Sequence, residues 1–250
     1  MFRYNSCRDR HCNQCQKYER AKWVEQQKVM QLPIPYFHIV FTTDHALNTL
    51  FRDHKRAMYD LLFQTASEVL QAKAKAELGC ELGITAVLHT WGQQIEEHIH
   101  LHCIVTGGGL RLDRQKWVKP KSKHYLLNVV ELSAAYRDKL LAGIERLVQR
   151  QEMVLADEAA EAALSSLLAE LRAKKWEVFI KPFANPDTVT AYLSRYVHPV
   201  AISNYRLESM EKGLVRFRYF DNRERAEVGG KGKEKVLTLT GEEFIRRFLL

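Results

Sequence analysis

The stretch HIHLHCIVTGGGL, residues 98–110, alternates with a strict period of two over its first six positions. His98, His100 and His102 share one face of an extended chain, and Ile99, Leu101, Cys103 and Val105 share the other. That pattern is a β-strand with one face in the core. Side chains on the same strand face lie about 7 Å apart, which lets two imidazoles converge on one cation. The preceding apolar segment, GITAVLHTW (83–91), reads as the partner strand of a hairpin and carries His89. The bland alternative is a solvated polar face. Three of the ten histidines at strict alternation, opposite a clean apolar face, favour a metal site. Imidazole suits Zn, Mn, Co, Ni and Cu, and Mg less readily. No thiolate shares the face, so an open catalytic site is expected rather than a closed structural one. The GGGL that follows reads as a bend leading toward a basic loop.

Working outward, YFHIVFTT (36–43) is a strand rich in β-branched and aromatic residues. Helices are expected over 19–31, ended by LPIP, over 54–78, over 131–155 and over 157–175. WEVFIK (176–181) is a strand, and NPDTVTAYLSRYVHP (185–199) reads as a helix with Pro186 at its first position. GLVRFRYF (213–220) and KVLTLT (235–240) form a hairpin. The ending carries a capping box, Thr240 with Glu243, and an apolar stripe of Phe244, Ile245, Phe248 and Leu249. No internal repeat is present.

The formal net charge of +8 makes a polyanionic partner plausible, nucleic acid first. Distribution sharpens this. Arg111, Arg114, Lys116, Lys119, Lys121 and Lys123 face a single acid, Asp113, in the block after the histidine strand, with Trp117 among them. A solvated basic loop is the competing reading. No apolar run approaches the roughly 20 residues that span a bilayer, and the first residues are polar and charged. Neither a membrane span nor a signal peptide is expected, so the chain reads as cytoplasmic. Five cysteines without a secretory signal argue against a disulfide framework. Cys80 and Cys103 read as small core residues, whereas Cys7, Cys12 and Cys15 crowd the N-terminus.

Tyr192 and Tyr196, four residues apart on the 185–199 helix, would share one face. An ordinary core stripe with Val189 and Leu193 explains that spacing equally well. A phenol is a competent covalent nucleophile when a cation polarises its target, and the histidine site supplies one in principle. Arg195 lies between the two tyrosines.

Taken together, YNSCRDRHCNQCQ, FHIVFTT, HIHLHCIVTGGGL and AYLSRYVHPVAISNYRL resemble the insertion-sequence-91 family of transposases, which are HUH-type, paired-tyrosine, rolling-circle enzymes. The resemblance runs over essentially the whole chain. It implies an α+β fold, a central antiparallel sheet of the ferredoxin-like HUH type with helices on one face and the metal and tyrosine helix on the other. It implies residues 1–18 as a partial zinc-binding segment and 19–250 as the catalytic domain, with a helical insertion around 131–175. His100 and His102 match the HUH ligands of a divalent ion, Mg²⁺ or Mn²⁺. The third ligand is left among His98, His89 and His198, with His98 having the best geometric claim. Tyr192 and Tyr196 match the nucleophiles. The implied reaction is nicking and strand transfer of single-stranded DNA at mobile-element ends and target, through a 5′-phosphotyrosine link. The implied setting is the bacterial cytoplasm and nucleoid.

Cys12-x-x-Cys15 has zinc spacing, and Cys7 and His11 could complete four ligands. The family's zinc segment carries a further cysteine pair upstream, so either these four suffice or the site is partial; the reading favours a partial site. The family likewise continues past FIRRFLL, and truncation at both ends is expected. A non-catalytic DNA-binding remnant is the main alternative function. A metallohydrolase of small phosphate esters accounts for the histidines but leaves the basic block and the tyrosines without purpose.

Overall fold

The computed structural model describes residues 7, 9, 11–113, 115–197, 200–221 and 232–249. In chain order the elements are α1 (Asn13–Met30), β1 (Tyr36–Thr42), α2 (Asn48–Asp53), α3 (Lys55–Leu78), β2 (Cys80–Trp91), β3 (Glu97–Arg111) and β4 (Trp117–Val118). There follow α4 (Val129–Gln149), α5 (Glu158–Ala173), β5 (Val178–Phe183), α6 (Pro186–Leu193), β6 (Leu207–Glu211), β7 (Leu214–Asp221), β8 (Lys233–Thr240) and α7 (Gly241–Leu249). The α+β class holds. The chain divides into two compact units, one of Gln27–His89 with Ile99–Leu193, the other of Met1–Gln26, Thr90–His98 and Ser194–Leu250.

In the first unit β1 is an inner strand, antiparallel to β3 on one side and to β5 on the other, in the order β2-β3-β1-β5 with β4 pairing to β3. Directly paired residues of antiparallel strands point to the same face. Phe37, Ile39 and Phe41 pair with Val105, Cys103 and Leu101. All six are buried in one cluster with Met58 and Leu62 of α3, Leu132, Tyr136 and Leu140 of α4, and Leu168 and Leu171 of α5. The three long helices therefore cover this face, as the alternation in β3 requires. Cys80 and Cys103 sit in the same core, and burial pushes the Cys103 thiol up to about 12. The opposite face carries His38, Val40 and Thr42 of β1 beside Ile104, His102 and His100 of β3. Helix α6 reaches that second face, where the Tyr192 ring stands 5.1 Å from His38 and 5.4 Å from Phe183.

The glycines after His102 do not bend the chain. β3 continues through them to Arg111 and pairs Gly109 with Val118 and Leu110 with Trp117. They are glycines because neighbouring backbone comes too close for a Cβ. At Gly107 a Cβ would meet the Pro35 carbonyl oxygen at 2.6 Å, and at Gly109 the Glu81 carbonyl oxygen at 2.0 Å. Gly108 also has φ +101, in the left-handed region.

The second unit holds β6, β7 and β8 as an antiparallel sheet in that order. Phe217 is buried with Ile95, Ala201 and Ile202, against Trp91, Leu237, Phe244 and Phe248. Strand β6 escaped the sequence reading because a register shift between Leu207 and Ser209 breaks its alternation. The threonine half of the capping box on α7 forms: the Glu243 N–H donates to Thr240 Oγ1 at 3.3 Å, while the Glu243 carboxylate accepts from Arg246 and Arg247 instead. Hydrogen bonds from the Arg246 and Arg247 guanidiniums hold the Glu243 carboxyl down at about 2. Two further expectations need correction. The first helix, expected from residue 19, begins at Asn13 and buries Cys15. Helix α6 ends at Leu193, and Tyr196 lies in a turn where the Val197 N–H donates to the Ser194 carbonyl at 3.4 Å. Ser194 is a weak interior helix former.

The glycine contacts make a measurable claim. Gly109→Ala should lower the stability of the chain by more than about 2 kcal/mol, since carbonyl backbone cannot move aside. Gly83→Ala should cost clearly less, because its Cβ would meet the Thr106 side chain, at 2.8 Å. Urea denaturation midpoints of the two variants measure the difference.

Candidate active site

Three strands bring histidines onto the open face of the first sheet. β1 and β3 set His102 opposite Val40 and His100 opposite Thr42, and β2 contributes His89. One ring nitrogen from each of His89, His100 and His102 lies within 4.8 Å of the others. His89 Nδ1 and His100 Nε2 stand 3.1 Å apart, and the His100 and His102 ring centroids 4.7 Å. Two nitrogens each about 2.1 Å from one cation are roughly 3.0–3.4 Å apart in octahedral or tetrahedral geometry. The trio therefore fits a divalent ion: all-imidazole donors, spaced near what coordination needs, on a half-buried to buried surface. The third imidazole of this cluster is His89, where the sequence favoured His98. His98 belongs to the other compact unit, and His198 lies outside the described residues.

His38 stands behind the cluster. Its Nε2 is 2.8 Å from His102 Nδ1, with the rings stacked at 5.0 Å and 13°. It is buried, and burial pushes its pKa down to about 4, helped by the Lys181 ammonium and by His100. A neutral His38 shares one proton with His102, which sets the tautomer of His102 and turns its Nε2 toward the trio. Tyr192, half-buried, has its ring edge against His38 and the Lys181 ammonium 5.8 Å from its centroid. Tyr196 and the exposed Arg195 belong to the other unit.

The basic block is not beside the histidines. Because β3 stays extended, Arg111 lies nine residues beyond His102, roughly 30 Å along the strand. Arg111 pairs with Asp113, and its N–H donates to the Lys116 carbonyl at 2.9 Å, closing a tight hairpin. Lys116, Lys119, Lys121 and Lys123 are exposed, and Arg114 lies outside the described residues. The cationic side chain at the histidine face is instead Lys181, paired with His38 in the β1–β5 register.

At the N-terminus the sulfurs of Cys7, Cys12 and Cys15 lie within 4.8 Å of one another, with Cys7 and Cys15 at 3.6 Å. Sulfurs about 2.3 Å from a tetrahedral zinc stand roughly 3.8 Å apart, so the thiols fit such an ion. The expected fourth ligand, His11, is not gathered with them; its ring packs against Phe248 at 4.4 Å.

Two family profiles match this sequence. One described as "Putative transposase" covers residues 83–250, and one described as "Transposase zinc-binding domain" covers residues 1–43. The chain belongs to the insertion-sequence-91 family of transposases. It is 41% identical over 254 residues to "Putative transposase y4qJ" of Sinorhizobium fredii, a match covering 99% of this chain and 62% of that protein. It is 32% identical over 225 residues to the "Transposase for insertion sequence element IS801" of Pseudomonas savastanoi pv. phaseolicola, covering 89% and 53%. The chain thus spans little more than half the length of these curated relatives. No solved structure matches it. No helix among the described residues is long and apolar enough to cross a membrane.

For a transposase of this family, the zinc-binding profile and the clustered thiols agree on the N-terminal segment. The sequence reading passed over His38 and Lys181 as site residues. His38 carried a signal: in FHIVFTT it is the one ionisable side chain, on the parity opposite Phe37, Ile39 and Phe41. Purified protein should carry zinc that Cys12→Ala removes and His100→Ala retains. Elemental analysis after dialysis measures both.

Proposed function

We propose that the chain nicks and transfers single-stranded DNA, with Tyr192 and Tyr196 as nucleophiles and His89, His100 and His102 as the ligands of a divalent ion. One observation carries the reading: the histidine trio and Tyr192 occupy the same open face of one sheet, linked through His38. A divalent ion held by the trio would supply Lewis-acid polarisation of a scissile phosphate. The donor set favours Mn²⁺ over Mg²⁺.

The tyrosine Oη forms a bond to phosphorus while the bond from phosphorus to the 3′ oxygen breaks. The leaving electron pair stays on that oxygen, which takes a proton and becomes a 3′-hydroxyl. The phenol proton passes to solvent. The 5′-phosphotyrosine keeps the energy of the original phosphodiester, so rejoining needs no nucleotide cofactor. Lys181 stands beside Tyr192 and His38 and adds positive charge where the phosphate arrives. A second tyrosine allows one strand to be received while the other remains bonded. The exposed lysines of the β3–β4 hairpin hold the DNA backbone farther off, and Arg111, Arg114 and Arg195 are further phosphate contacts, which makes binding steeply salt-dependent. Mobile-element ends and target are the substrates, and the bacterial nucleoid is the setting.

Incubation with Mn²⁺ and single-stranded DNA carrying element ends should give a covalent adduct that survives denaturant. Combined Tyr192→Phe and Tyr196→Phe should abolish it, and His100→Ala should reduce it at least about 100-fold, as losing one essential electrostatic partner does. An undiminished adduct in the double variant would sink the nucleophile assignment. DNA retention on filters with no adduct from the wild type would mark a non-catalytic DNA-binding chain instead. His38→Ala should weaken Mn²⁺ binding about 10- to 100-fold, and His38→Asn should recover part of it. Calorimetric titration of the two variants separates a hydrogen-bonding role from simple loss of packing.

A further inference from the structure

The histidine face does not end at β1. In the strand registers His102 is opposite Val40, and Val40 is opposite Phe179 of β5, so one row of side chains runs from the trio to the sheet edge. Two strand spacings put Phe179 about 10 Å from His102. Phe179 is 54% exposed, although an aromatic ring on a half-covered face is ordinarily buried. Its neighbour on the same face is Lys181, exposed and without a carboxylate partner among the described residues. Beyond Phe179 and Thr42 opens a cleft of about 650 Å³, within the size range of ligand sites. Its walls join apolar Val129, Val130 and Trp176 to Arg137, Lys174 and Lys175, against one acid, Glu177. Arg137 and Lys174 are held by Asp138 and Glu170, whereas Lys175 has no such partner among the described residues.

We propose that Phe179 and this cleft form a base-stacking subsite for single-stranded DNA leading into the histidine site. A base lies on the open face of the Phe179 ring, and Lys181 and Lys175 meet the phosphates on either side. An exposed aromatic between unpaired lysines is what binds a single strand without reading its sequence, because every base has a π-face and every linkage a negative charge. Lys175 and Lys181, without carboxylate partners among the described residues, favour a polyanion over an apolar partner helix. The subsite rests on the single-strand reading above, yet it needs neither tyrosine nor metal.

The test is binding of a fluorescent oligothymidylate to the full chain in EDTA, where no strand cleavage occurs. Phe179→Ala should weaken binding about 5- to 150-fold, the range for losing one stacked base. Phe179→Leu, which keeps apolar bulk without a π-face, should be as weak as Phe179→Ala, and Phe179→Trp should bind at least as tightly as wild type. Lys175→Ala should reduce the steepness of the salt dependence. Unchanged melting temperatures in these exposed variants exclude misfolding as the cause. Equal affinities across the Phe179 series would overturn the subsite and leave the nuclease reading to stand on its adduct. Loss of binding in Phe179→Ala, with no adduct from the wild type, would keep the subsite and defeat the nuclease reading. Equal affinities together with a self-association that Phe179→Ala abolishes would assign the cleft to a second copy of the chain.

Discussion

The antiparallel pairing of β1 with β3 is the constraint on which the rest of the first unit depends. Seven consecutive pairs, from Tyr36 opposite Thr106 to Thr42 opposite His100, lock two alternating sequences in one register. A slip by one residue would turn Phe37, Ile39 and Phe41 out of the core and bury the histidine face under three helices. Such a slip would expose three large side chains, each worth about 1.5–3 kcal/mol when buried, so the register is strongly specified. The apolar half of the pattern drives folding, and the polar half is carried onto the opposite face by the same pleat. The candidate site is thus a geometric consequence of the core.

That coupling explains why His38 matters. It occupies a central strand, is buried almost completely, and still has a hydrogen-bonding partner in His102. An imidazole in this position costs desolvation, which shows as its depressed pKa. The compensation is a fixed tautomer and a fixed ring plane for the neighbour that faces the trio. Lys181, brought opposite His38 by the β1–β5 register, adds charge on the same face without entering the core.

The glycine run shows how a local reading fails for a physical reason. Three consecutive glycines suggest a turn, because glycine tolerates left-handed backbone. Here they permit close approach instead, to Pro35 on one side and to Glu81 and Val118 on the other. The strand therefore stays long, and the basic residues land at its far end. Charge at the histidine face comes from β5, an edge strand remote in sequence, which no linear spacing predicts.

By itself the sequence determined the two-residue period of β1 and β3, the helices that cover their apolar face, the histidine face and the cysteine spacing. These are local patterns, and burial enforces them one residue at a time. It also determined family membership, through motifs whose order survives in a one-dimensional string. Only the tertiary structure decided that His89 rather than His98 joins His100 and His102, since the hairpin fold sets which strand supplies the third ring. Likewise only the structure ended α6 before Tyr196, drew His11 away from the thiols to Phe248, and aligned Phe179 with the histidines. Each of those outcomes turns on contacts between segments far apart in the chain, where spacing along the backbone carries no distance information.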